Sequence, residues 1–329
     1  MPKHVPAHTV GWLCAIDFGG SSTKWAIRRG HVGQPSVWER QGKLEGQDHR
    51  KLWASPAGLG ARLTALLVQN GATRVVHLGI SVSGNVDASS QTVTASDRMA
   101  ECFGRAVSPP LDLRAQLRGK LKASAVVGVC NDGVAAAVGA ACTAHSPADV
   151  LDPTHPVPPI LAVTLGSWPA IAVVSREERK LHVFQTDFSK AEIRTRAGQL
   201  ALHHPEVLAG DALAALSPER KAKRIGRALA ASLGLYWRRH KWQPTQIILL
   251  GGHSVGLARV KLEEAFKDEL ARRDDLADAR AHWDAGNASP VLRWFDTYAE
   301  QSSAHLEGAA VCAELATKGQ LSVVPSAKS

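Results

Sequence analysis

Twice in its length the chain sends an apolar run into a glycine turn and out again as a second apolar run: "LCAIDFGGSSTKWAI" at 13–27 and "ILAVTLGSWPAIAVV" at 160–174. Each reads as a β-hairpin, because glycine and serine between two apolar stretches are turn chemistry between strands. Strand and helix signals alternate elsewhere, so the fold class is α/β. One hairpin in each half predicts two domains of like topology facing across a cleft. Strands are expected at 13–18, 23–28, 75–82, 125–130, 160–165, 170–175 and 246–250. Helices are expected at about 56–69, 110–121, 133–144, 219–239, 257–273 and 300–316. "HSPADVLDPTHPVPP" (145–159), with five prolines and no apolar period, reads as a loop or connector, and 176–215 yields no assignment.

A length of 329 residues leaves room for two domains, and 45% hydrophobic with 21% charged residues describes a soluble globular chain. The longest apolar runs, such as "IILL" before Gly251, fall far short of a membrane span. "MPKHVPAHTVGWL" lacks the apolar core of a signal peptide, so a cytoplasmic protein with no membrane partner is expected. Five cysteines without a C-x-x-C pair or Cys/His cluster read as reduced thiols, with no zinc site. The net charge is +9, with the basic residues spread along the chain and densest in "ERKAKRIGR" (219–227) and "YWRRHKW" (236–242). Both lie in a helical stretch, so a solvated helix face is the first reading and a surface attracting nucleotide or polyphosphate anions the second; no nucleic-acid partner is expected.

The polar turn of the first hairpin has two readings. It is an ordinary turn, or it handles phosphate, with backbone N–H groups at Gly19 and Gly20 and the hydroxyls of Ser21 and Ser22 facing an anion. On the second reading Asp17 holds a Mg²⁺ water and Lys24 supplies a nearby point charge. Four further segments follow in order: "HLGISVSGNVD" (77–87), "VVGVCNDGVAAAVGA" (126–140), "QIILLGGHSVG" (246–256) and "SAHLEGAAVCA" (303–313). Taken singly, Asn131 or Asp132 is a helix N-cap, Gly251-Gly252 a βα turn, and the small residues of 303–313 a close-packing surface.

Taken in this order, the segments resemble the ROK family (repressors, open reading frames, kinases), in the sugar-kinase branch of the actin/hexokinase/Hsp70 superfamily. "DFGGSSTK" is similar to its first phosphate motif, "GISVSGNVD" to its strand and turn, "CNDGVAAAVGA" to its catalytic segment, "ILLGG" to its adenosine turn and "SAHLEGAAV" to its closing helix. The resemblance spans about 13–316. It implies two actin-like (ribonuclease H-like) domains with an interdomain cleft: 1–132 plus 300–329, and 133–299. It implies phosphoryl transfer from ATP or inorganic polyphosphate, with Mg²⁺, to a hexose-like hydroxyl, with Asp132 as general base. Asn131, Ser83, Asn85 and Asp187 are then candidate sugar ligands, and Asp17 the metal-positioning residue. Gly19, Gly20, Ser21, Ser22, Lys24, Gly166, Ser167, Gly251 and Gly252 are candidate donor-binding residues. A homodimer is the expected assembly.

Three departures from the family pattern are visible. The second phosphate loop reads "LGSWPA", where Trp168 adds bulk and Pro169 removes an N–H donor. The family's zinc-binding cysteines are absent. The E-x-G-H sugar clamp is also missing, with "QTDFSK" near its place and Asp187 and Lys190 at the corresponding positions. The alternative reading is therefore a kinase-like sugar- or nucleotide-binding protein without turnover. A DNA-binding repressor is disfavoured, since only about a dozen residues precede Leu13.

Overall fold

The computed structural model describes residues 11–324 apart from 35–36, 167–168, 187–191, 195–199, 204–207, 209, 241–243, 275–276, 278–280 and 282–289. It divides into two units: residues 1–157 with 177–182 and 302–323, and residues 158–176 with 183–301 and 324–329. The division after Val157 lies beyond the break expected at Asp132. Residues 133–157 stay with the first unit because the helix they begin packs on that unit's own residues: a Cβ on Gly139 would meet the Ala304 carbonyl at 2.2 Å.

The first unit is built on a mixed sheet. Its strands are Trp12–Phe18 (β1), Ser22–Arg29 (β2), Arg40–Glu45 (β3), Val75–Val82 (β4) and Val126–Asn131 (β7), with a small hairpin, Asn85–Asp87 (β5) and Thr92–Ala95 (β6), beside it. The order is β3-β2-β1-β4-β7. β1 and β4 are apolar almost throughout and buried along nearly their whole length, as strands covered on both faces must be. β1–β2 and β2–β3 are antiparallel, whereas β4 runs parallel to β1 and β7 parallel to β4. The register pairs Asp17 with Lys24 and with Ser81, and Val82 with Asn131. The carboxyl ends of three parallel neighbours therefore stand side by side, the edge where α/β sheets place their ligands.

Its helices are Gly46–Leu52 (α1), Leu59–Gln69 (α2), Asp97–Phe103 (α3), Leu113–Leu117 (α4), Asp132–Ala144 (α5) and Pro147–Leu151 (α6). Two differ from the sequence reading. The helix expected at 110–121 contracts to α4, because Arg118 is extended and Gly119 takes a left-handed φ of 74°. The stretch 145–159 is not all loop. α6 opens with Pro147 after a capping box, in which the Ser146 side chain accepts from the Asp149 N–H and the Asp149 carboxylate from the Ser146 N–H. Proline breaks a helix interior but starts a helix well at its first position.

The second unit repeats the plan with Ile160–Leu165 (β8), Pro169–Glu177 (β9), Lys180–Thr186 (β10), Glu192–Arg194 (β11), Leu200–His203 (β12), Gln246–Leu250 (β13) and Val291–Arg293 (β14), the end of β9 and the start of β10 falling in the 177–182 segment of the first unit. β8 and β9 form the second hairpin, closing at Leu165 and Pro169, and β13 runs parallel to β8 as β4 does to β1. Pro169 sits at the first residue of β9, a position that needs no ladder donor. Helices Gly210–Ala214 (α7), Pro218–His240 (α8) and Arg259–Arg272 (α9) cover it. Ala222, Ile225 and Leu229 repeat at helical spacing on α8 and join Leu262, Phe266 and Leu270 of α9 in one core.

The closing helix, Tyr298–Thr317 (α10), lies from Ser302 onward in the first unit. A Cβ on Gly308 would fall 1.9 Å from the Ala135 carbonyl of α5, and one on Gly79 of β4 would fall 2.3 Å from the Ala309 carbonyl. The small residues of 303–313 are thus used for backbone-to-backbone packing. Charges lock the same helix to the sheet. Buried Arg28 makes a two-pronged pair with Glu307 (2.7 and 2.9 Å), and His77 Nδ1 lies 3.5 Å from Glu314. No helix among the described residues is long and apolar enough to cross a membrane. All five cysteines are free.

Candidate active site

Asp17, at the end of β1, is buried, which an ionised carboxylate tolerates only with compensating partners. Ser81 of β4 donates its hydroxyl to Oδ1 (2.6 Å), His305 Nε2 of α10 lies 3.3 Å from the same oxygen, and Lys24 Nζ lies 3.3 Å from Oδ2. Burial alone would raise this carboxyl. The charges of His305 and Lys24, with the hydrogen bonds from His305 and Ser81, outweigh it and hold Asp17 well below the usual carboxylate range.

Asp132 shows the opposite shift. It opens α5 at the end of β7, two strands from β1 in the sheet, and its Oδ1 accepts from the Gly133 N–H (2.9 Å). Burial and the negative charge of Asp17 push it up to about 6, against the smaller opposing effects of His305, the Gly133 N–H and a hydrogen bond from Ser83. Two carboxylates at one sheet edge are thus set apart: one locked in the anionic form, the other titrating close to neutrality.

Asn131 is the N-cap of α5. Its Oδ1 accepts from the N–H groups of Gly133 and Val134 (2.8 and 3.3 Å), and its Nδ2 donates to the Gly84 carbonyl (2.7 Å). The cap therefore aims Asp132 and ties it to the turn that carries Ser83. That turn is tight: Gly84 has φ 150°, and a Cβ there would meet the Ala95 carbonyl at 2.4 Å. Ser83 donates its N–H to the Phe18 carbonyl (2.9 Å), which ties the ends of β1 and β4 together. Asn85 lies exposed at the start of β5.

At the hairpin tip Gly20 and Ser21 are exposed, and the Gly19 N–H is spent on the Ser22 carbonyl (2.9 Å). Ser22 is buried. Lys24, read from the sequence as a charge for phosphate, faces Asp17. Behind the tip, buried Thr23 is held by Trp53 Nε1 (2.8 Å) and paired with His49 Nδ1 (2.9 Å), while His49 stacks on Phe18.

In the second unit Gly251 has φ 90°, and a Cβ added there would fall 2.3 Å from the Leu165 carbonyl. That glycine is required by the approach of β8 and β13. Gly252 starts a single 3₁₀ turn, with the Tyr298 ring edge 3.9 Å from where a Cβ would stand. Gly166 follows β8, whereas Ser167, Trp168, Asp187 and Lys190 lie outside the described residues.

The sequence reading missed Ser81 and His305. Ser81 lies on β4, two residues before Ser83 of the turn that follows it. A lone histidine in the small-residue run "SAHLEGAAV" is the only signal for His305.

No protein-family model and no curated protein sequence matches the chain. Solved structures do. The chain is similar to a glucokinase from Balamuthia mandrillaris in complex with glucose, at 14% identity and a TM-score of 0.62, over 94% of this chain and 95% of that one. It is similar to a ROK family glucokinase from Streptomyces griseus in complex with glucose and AMPPNP, at 16% identity and a TM-score of 0.56, over 94% and 100%. It is also similar to a ROK family transcriptional regulator, a homologue of the E. coli Mlc protein, at 14% identity and a TM-score of 0.56, over 93% and 80%.

Proposed function

Starting from the ROK sugar-kinase fold, which the chain shares over nearly its whole length, we propose that the protein is a sugar kinase. It transfers a phosphoryl group from ATP or polyphosphate to a hexose-like hydroxyl. The observation that carries this reading is the pair of carboxylates at the ends of β1 and β7, Asp17 held ionised and Asp132 raised to about 6. Because ROK regulators share the fold, the fold alone does not distinguish catalysis from binding, and the carboxylate pair is what favours catalysis.

A sugar hydroxyl is a weak nucleophile until a base accepts its proton. At pH 7 a carboxyl titrating at about 6 is about nine-tenths ionised, yet more basic than an ordinary aspartate. Asp132 takes the proton as the hydroxyl oxygen bonds to phosphorus and the bond to the donor's bridging oxygen breaks. Asn131 and Ser83 orient Asp132. Gly20 and Ser21 present the exposed tip to the incoming phosphate.

Mg²⁺ fits this chemistry in the mode where it keeps several waters and is bound through substrate phosphates and one carboxylate. Asp17 is the ionised carboxylate at the sheet edge, and with its oxygens already accepting from Ser81, His305 and Lys24, it suits a water-mediated role. When bound, the ion would neutralise charge on the donor phosphates.

The test is a transfer screen of common monosaccharides against ATP and polyphosphate. Turnover of a hexose or amino sugar is expected. Sugar binding by calorimetry with no transfer from either donor would replace the reading with a binding protein.

A further inference from the structure

Arg98 lies along the tip of the β1–β2 hairpin. A Cβ placed on Gly20 would stand 3.4 Å from Arg98 Nε and 4.0 Å from its Cδ and Cζ, so the guanidinium runs beside the bare Gly20 backbone. Its position is fixed from behind. Ser96 caps α3 by accepting from the Met99 N–H (3.1 Å) and donates its hydroxyl to the Ser83 carbonyl (2.5 Å), while Met99 is buried in the core. The turn that brings Ser83 to Asp132 therefore also holds Arg98 at the hairpin tip.

The charge at that tip belongs to Arg98 and not to Lys24. Lys24 is turned to Asp17, with 13% of its side chain exposed. Arg98 is 38% exposed, and its contact with Glu101, at 3.0 Å to both carboxylate oxygens, engages Nη1 alone. A guanidinium offers several donors in one plane, a shape that matches the oxygens of a phosphoryl group. Glu101 is the more exposed partner, at 62%, so this surface pair is weak and gives way to a multiply charged anion.

We propose that Arg98 binds the transferring phosphoryl group at the Gly20–Ser21 tip and stabilises its equatorial oxygens. The ligand class is a terminal phosphoryl dianion: the donor's before transfer, the phosphosugar's after it. The inference rests on the phosphotransferase reading for its catalytic part, while anion binding stands on the hairpin geometry alone.

Two measurements on the full chain separate these parts. The first is calorimetric titration with inorganic phosphate and tripolyphosphate, comparing wild type with Arg98→Gln, Arg98→Lys and Glu101→Gln. Arg98→Gln should weaken anion binding at least about tenfold, and Arg98→Lys should restore part of it. The second is steady-state kinetics on the sugar found by the screen. Arg98→Gln should lower kcat by about 10²–10³-fold, as loss of one transition-state donor does, with sugar KM unchanged. Glu101→Gln should leave kcat within about twofold and the thermal midpoint of every variant near wild type. Anion affinity unchanged in Arg98→Gln would overturn the proposal. So would equal losses in Arg98→Gln and Glu101→Gln, which would reduce Arg98 to its surface pair. A wild type that transfers no phosphate would remove the kinase reading, and the titration would still decide whether Arg98 holds an anion.

Discussion

Asp132→Asn should make the protein more stable and inactive at once. The amide is isosteric, so its oxygen can keep accepting from the Gly133 N–H and from Ser83. What it removes is a negative charge close to Asp17 at a desolvated position. A carboxyl raised from 3.8 to about 6 by folding favours its protonated form in the native state. Its ionisation therefore costs nothing below the unfolded value, and the cost grows as pH rises towards 6 and is complete above it. Two units at 1.36 kcal/mol each set this cost at about 3 kcal/mol at most, less whatever partial exposure screens. Urea denaturation at pH 7.5 should show the variant more stable by about 1–3 kcal/mol, with the difference vanishing towards pH 4. Turnover should fall by about 10²–10⁴-fold, with calorimetric sugar affinity largely kept. The wild-type kcat/KM profile should rise with pH through an apparent value near 6, and Asp17→Asn should move that limb down by removing the charge that raises Asp132. A destabilised Asp132→Asn with near-normal turnover would refute the reasoning and leave Asp132 as a helix-terminal residue.

Two structural predictions concern the closing helix. Glu307→Gln removes the negative charge that faces the buried Arg28 guanidinium, which also lies over the Trp38 ring, and should cost about 3–5 kcal/mol in urea denaturation. Gly308→Ala puts a methyl 1.9 Å from the Ala135 carbonyl and should cost about 1–3 kcal/mol or more, read as a fall in Tm; an unchanged Tm would mean that α5 and α10 do not touch there.

Most of the strands and the two hairpins were legible in the chain itself. Apolar runs such as "WLCAIDF" and "QIILL" are buried on both faces whatever their neighbours, and glycine-serine turns close them by local backbone preference. The pairing of Asn131 with Asp132 at a helix start was equally local, since a cap acts within a few residues of itself. Local signals also misled: the prolines of 145–159 concealed a capped helix, and "RGK" ended α4 early. What the tertiary structure alone decided is the charge environment of the two carboxylates. Whether Asp17 is ionised depends on Ser81, on a strand 64 residues away, and on His305, brought by a helix from the far end of the chain. Whether Asp132 is a base depends on how near β4 places Asp17 to β7, a parallel register that no stretch of sequence encodes. Arg98 reaches the hairpin only because α3 is docked through Ser96 on the Ser83 turn. Charge acts through space at short range, so a titratable residue takes its pKa from whatever the fold packs beside it, and its sequence neighbours say little about that.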